Sequence, residues 1–136
     1  MRLDKNNIGD PHPLGKYPGK HTMLDALLDE IHDHYFALDM VAFDKTTGEW
    51  KMPYKKGDEW RFFFLLSCSR PGDGPYDRTL RIAGVRQYSF TNKEKINTYT
   101  INDVRVDVGS LRIVITAVPN VRITLEVGPD FVISTE

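Results

Sequence analysis

With 136 residues, 40% of them hydrophobic and 11% aromatic, the chain has the make-up of one globular domain and not of a disordered tail. Its 18 Lys and Arg stand against 19 Asp and Glu, and a net charge of −1 argues against nucleic acid as a partner, which calls for a basic surface. A single cysteine, Cys68, excludes an internal disulfide and a cysteine-built metal cluster, and its place behind the Phe62–Leu66 run reads as a small core residue.

The first residues, Met-Arg-Leu-Asp-Lys-Asn-Asn, lead into no apolar stretch, and no window approaches a membrane span, so a cytoplasmic protein with no membrane partner is expected. Residues 1–21 carry Pro11, Pro13 and Pro18 with Gly9, Gly15 and Gly19, a composition unsuited to helix or central strand. They read as an extended arm, able to drape over the body or over a second copy in a homo-oligomer. Residues 22–136 read as one β-rich domain that opens on a helix.

That helix is predicted from Thr22, which can cap it together with Asp25 three residues on. Leu24, Leu27, Leu28 and Ile31 then fall on one stripe, while Asp25, Asp29 and Glu30 face water. About eleven residues is marginal for an isolated helix, so the stripe must pack on a sheet.

From Tyr35 onward the pattern is strand. Tyr35–Phe43 is aromatic and apolar, Asp44–Gly48 has hairpin-loop chemistry with Gly48 available for a left-handed position, and Glu49–Tyr54 returns. Pro53 suggests an edge or a strand end. Trp60–Ser69 is apolar on both faces and reads as a central strand. Arg70–Asp77 is a stiff loop with two Pro and two Gly, and Arg78–Phe90 is a strand with Gly84 as a candidate bend.

The last third alternates almost without interruption from Val104 to Ile133, with a period of two that gives one dry and one wetter face. A two-residue turn at Gly109-Ser110 pairs Val108 with Leu111 and keeps both in the apolar set. Val118-Pro119-Asn120-Val121 and Gly128-Pro129-Asp130-Phe131 read as two further turns, each needing a bulge or a longer loop to keep the apolar face in register. The fold class expected is mainly β: an antiparallel sandwich or partly closed barrel of about eight strands with one N-terminal helix.

Ile31-His32-Asp33-His34-Tyr35 is the strongest polar cluster. In extended backbone His32 and His34 would point the same way, a spacing that can put two imidazoles on one divalent metal, with Asp29, Asp39 or Asp44 as an oxygen ligand. The plainer reading is that His suits a helix C-terminus. Asp73, Tyr76, Asp77 and Arg78, on and beside the Arg70–Asp77 loop, are the candidate partner-contacting residues, because recognition commonly sits on loops held by a rigid sheet. That loop lacks the alternation and distal Glu of a calcium loop. Phosphate-binding glycine loops, the G-x-S-x-G elbow and H-E-x-x-H are all absent, which leans away from an enzyme. Trp50, Tyr54 and Trp60 could stack bases, but without interleaved basic residues they read as packing.

His32-Asp33 ahead of strand Tyr35–Phe43, together with the Ile101-Asn102-Asp103-Val104 lead into alternating strands, resembles a pattern in small bacterial β-rich proteins of unknown function. Some of those occur as immunity-type partners of toxins. The resemblance spans about residues 31–135 and implies a protein partner, with no catalytic set to carry over. The expectation is a non-enzymatic protein-recognition module. The alternatives are a metal-binding protein or metal-dependent enzyme centred on His32 and His34, and a homo-oligomeric structural protein built through the arm.

Overall fold

The computed structural model describes residues 2–6, 23–55 and 76–136. Residues 7–21 of the expected arm, the Thr22 cap, the Trp60–Ser69 strand and Cys68 lie outside these residues, whereas the first residues of the arm form a short strand that pairs with the last strand of the same chain and buries Leu3 completely. Among the described residues eight strands and one α-helix run in the order β1 (Arg2–Asp4), α1 (Met23–Ile31), β2 (Tyr35–Ala37), β3 (Ala42–Asp44), β4 (Glu49–Lys55), β5 (Arg78–Asn92), β6 (Thr98–Asp107), β7 (Arg112–Val118) and β8 (Val121–Thr135). All pairings are antiparallel. The path β8-β5-β4-β2-β6-β7 returns to β8 through the β7–β8 ladder, so six strands close a barrel, with β1 added beside β8 and β3 beside β4. Among the described residues no helix is long and apolar enough to cross a membrane.

The alternation in the sequence is the inside of this barrel. Ile113 pairs with Leu125, Ile115 with Ile123 and Ala117 with Val121, and all six are buried. On the opposite wall Trp50 pairs with Ile82 and Met52 with Leu80, each without solvent exposure. Closing the sheet on itself removes most free edges and leaves the apolar faces covered by one another. The helix behaves as its stripe predicts: Leu27 and Ile31 are fully buried, and Leu24 and Leu28 pack against the core.

Four local expectations are revised. The Tyr35–Phe43 strand is split by a 3-10 turn at Leu38–Met40, which lets β2 pair with β4 and β6 while β3 pairs with β4 alone. Pro53 is therefore neither at an edge nor at a strand end. It lies where β4 passes that turn, between the residues registered to β3 and those registered to β2, a place where a missing N–H costs no ladder bond. The β6–β7 connection keeps the expected register, but it closes at Asp107 and Arg112, so Val108–Leu111 form a four-residue loop and Val108 is exposed. Asp107 Oδ1 accepts the Ser110 N–H at 3.1 Å, just as Asp44 Oδ1 accepts the Thr46 N–H at 2.9 Å in the β3–β4 hairpin. These backbone donors hold both carboxyls below their ordinary range.

The fourth revision is the largest. Gly128-Pro129-Asp130 does not reverse the chain: β8 runs on through it and pairs with β5 on both sides, Val127 with Val85 and Val132 with Ala83. The four residues between them stand opposite Gly84 alone. Gly84 has φ +81°, and a Cβ there would come within 3.1 Å of the Phe131 Cα. Gly84→Ala is expected to cost about 1–3 kcal/mol, from the left-handed backbone and from backbone crowding that no rotamer change relieves. Chemical denaturation would measure it.

Candidate functional site

Helix α1 ends in a tight turn, with His32 N–H donating to Leu28 O at 2.7 Å and His34 N–H to Ile31 O at 3.2 Å. Asp33 then takes a left-handed conformation, φ +64°, and donates its N–H to Ile101 O at 3.0 Å. The extended backbone that would align His32 with His34 is therefore absent. His32 is exposed, with Nδ1 3.3 Å from the Asp33 carboxylate, while the His34 ring tilts against Tyr54 with centroids 5.8 Å apart. Asp29 is exposed on the helix. Among the described residues no three His, Cys, Asp or Glu side chains gather as a metal would need.

His34 instead joins the other nominated residues. Arg78 stands opposite Tyr54 in the β4–β5 ladder, and Tyr76 lies under the Lys55 ammonium, 5.1 Å from ring centroid to Nζ. Lys55 itself is buried. Glu30 reaches across from α1 and accepts the Thr135 hydroxyl at 2.9 Å, tying the helix to the end of β8. The Tyr54 hydroxyl is sealed from solvent at this junction and has no well-formed hydrogen bond, although Arg78 lies close enough to act on it. Burial pushes it up to about 12, helped by the negative charges of Glu30 and Asp77 and opposed by Arg78. Such a phenol stays protonated near neutrality, which suits packing and hydrogen bonding better than base or nucleophile chemistry. Asp73 lies outside the described residues.

Two places read separately in the sequence, the helix–strand junction and the end of the Arg70–Asp77 loop, thus meet at Tyr54. Lys55 and Thr135 do not stand out in the sequence, and Glu30, expected to face water, is turned to the Thr135 hydroxyl instead. The inward parity of Tyr54 with Trp50 and Met52 was the available signal, and both Trp50 and Tyr54 are core, as the packing reading of the aromatics expects.

The opposite end of the barrel differs in character. Met40 in the 3-10 turn, Phe90 near the end of β5, Ile96 in the β5–β6 turn and Val118 at the end of β7 are 41%, 48%, 45% and 53% exposed. The backbone around Met40 and Ile96 is cross-linked by hydrogen bonds. Leu38 N–H donates to Asn97 O at 2.8 Å, Asn97 Nδ2 donates to Asp39 Oδ1 at 3.0 Å, and the Tyr99 hydroxyl bonds both Ile96 O and Asn92. Phe90 stacks on Tyr88, which meets Phe43 and Trp50 edge-on. On the outer wall of β6 and β7 lies an open cleft of about 660 Å³, where Arg105 holds Asp103 at 2.9 Å and Arg112 holds Glu126 at 3.6 Å. Those paired charges are ordinary surface chemistry. No protein-family model matches the chain, and no curated protein matches it.

Proposed function

We propose that this protein is a non-enzymatic recognition module that binds a protein partner, in the manner of an immunity protein, with the apolar end of its barrel. One observation carries the reading: of the five large apolar side chains exposed among the described residues, all but Val108 are Met40, Phe90, Ile96 and Val118, at a single end. Scattered exposed apolar residues are normal, whereas grouped ones on a hydrogen-bonded frame mark contact surfaces. Aromatic and Met side chains are also those enriched at such contacts. Tyr76 and Arg78, nominated from sequence, sit at the other end of β5 and face Lys55 and Tyr54.

The test is direct binding to proteins encoded beside the gene, toxin domains first, using the native chain and a Met40→Ser, Phe90→Ser double variant. Both sites are exposed, so thermal stability is expected to change little, while affinity should fall at least about tenfold. A double variant that binds its partner as tightly as the native chain would remove the rim from consideration. A native dimer in solution that the same substitutions split would give the rim to a second copy instead.

A further inference from the structure

Three departures from regular sheet converge at one point on the barrel wall. The β3–β4 turn ends in Gly48, φ +75°, whose carbonyl accepts the Val85 N–H at 2.8 Å. Strand β5 shifts register on either side of Val85, leaving Gly84 and Arg86 without partners in β8. Strand β8 makes its four-residue excursion at the same height. Between these three backbones is a shallow, open depression of about 460 Å³, with Lys45, Arg86 and Asp130 as its charged lining.

A bulge takes a residue out of the in–out alternation and re-aims its side chain. Here the re-aimed residue is Arg86. Its guanidinium lies across Gly128, with Nε and Nη2 each 3.4 Å from where a Cβ would stand, so a bare backbone is what gives it room. Arg81, Arg105 and Arg112 each hold a carboxylate. Neither Arg86 nor Lys45 does so among the described residues. The nearby Asp44 carboxylate is turned to the Thr46 and Thr47 amides, and Asp130 is the one carboxylate on the lining.

The geometry points to an oxyanion-binding notch, in which Arg86 supplies a planar fork and Lys45 a mobile point charge for a carboxylate or phosphate group on a small molecule. Arg86 is exposed, so its guanidinium is open to a ligand from solvent, and its paired N–H donors match either oxyanion. Asp130 limits the negative charge the notch accepts. The site is on the wall of the barrel and does not depend on the recognition reading of its apolar end.

Titrating the isotope-labelled full chain with inorganic phosphate, and separately with acetate, tests this by amide chemical shifts. Saturable shifts confined to Lys45–Gly48, Val85–Arg86 and Gly128–Asp130 are expected. Arg86→Gln and Lys45→Gln should each weaken binding by about tenfold, and Asp130→Asn should tighten it by removing a like charge. Tighter phosphate binding would assign the notch to phosphate esters, and equal or tighter acetate binding to carboxylates; either supports the site. Absence of saturable shifts with both ions, unchanged binding in Arg86→Gln, or weaker binding in Asp130→Asn would overturn it. All three side chains are outside the core, and unchanged spectra elsewhere would verify that each variant folds.

Discussion

Replacing Trp50 with Ala is expected to cost about 3–5 kcal/mol of folding stability, the range for emptying a buried aromatic site. A domain of this size holds on the order of 5–15 kcal/mol in total, so the variant should unfold at far lower urea or be largely unfolded at ambient temperature. Trp50 is fully buried and is the point where three strands lean on one another, opposite Phe43 on β3 and Ile82 on β5. Its ring meets Tyr88 edge-on at 6.0 Å, and Tyr88 in turn holds Phe43 and Phe90. The indole N–H has no well-formed hydrogen bond, although the Tyr88 hydroxyl lies close enough to act on it, so the residue stabilises chiefly through area and shape. Trp50→Phe should therefore recover much of the loss. Val108→Ala, at an exposed loop position, should stay within about 0.5 kcal/mol. A loss below about 1 kcal/mol in Trp50→Ala would mean that β3 and the second half of β5 do not depend on this contact.

The helix stripe and the β6–β7 register were legible because both are local patterns. Leu27 and Ile31 are buried as their spacing predicts, and Val106 pairs with Ile113 as alternation requires. Barrel closure was legible only as one of two options, since it rests on pairing β5 with β8 across the intervening strands β6 and β7. Gly128-Pro129-Asp130 shows the limit clearly. Two apolar runs separated by Gly-Pro-Asp look alike whether the chain turns back or bulges, and the deciding partner, Gly84, is remote in sequence. The 3-10 interruption at Leu38–Met40 is likewise set by the Asn97 backbone and side chain, which hold Leu38 and Asp39 from 58 or so positions away.

The residues of the site divide in the same way. His34, Tyr76 and Arg78 stand out by residue type, and each is found at the Tyr54 junction or beside Lys55. Phe90 keeps the inward parity of Tyr88, opposite buried Leu125 and Ile123, and nothing local marks it as exposed. It is uncovered because β4 registers with β5 only from Arg78 to Ile82, and β5 runs ten residues further. Exposure there is a product of strand lengths, which a one-dimensional pattern does not carry.

Stability is expected to fall as pH rises from about 10 to about 12, on account of two phenols, one buried and one half-buried. Tyr54 and Tyr88 are each pushed up to about 12, chiefly by burial. In the unfolded chain a tyrosine titrates near 10. Below that value both states keep the proton and these groups confer no pH dependence. Between the two values the unfolded chain loses its protons first, so unfolding is favoured progressively, and above the folded value the loss is complete. The shift corresponds to about 2–3 kcal/mol for Tyr54 and somewhat less for Tyr88, whose ring is only partly covered. Urea unfolding of the native chain, Tyr54→Phe and Tyr88→Phe across this range isolates the effect, because lysine deprotonation is common to all three. Tyr54→Phe should lose little near neutrality, since its hydroxyl makes no well-formed bond, and should overtake the native chain at the alkaline end. Glu30→Gln should bring the Tyr54 transition down in pH, because the carboxylate beside it adds to the rise. Parallel pH profiles for the native chain and Tyr54→Phe would show that the helix does not seal the junction, and with it the link from Glu30 to Thr135 would lose its role in closing that end of the barrel.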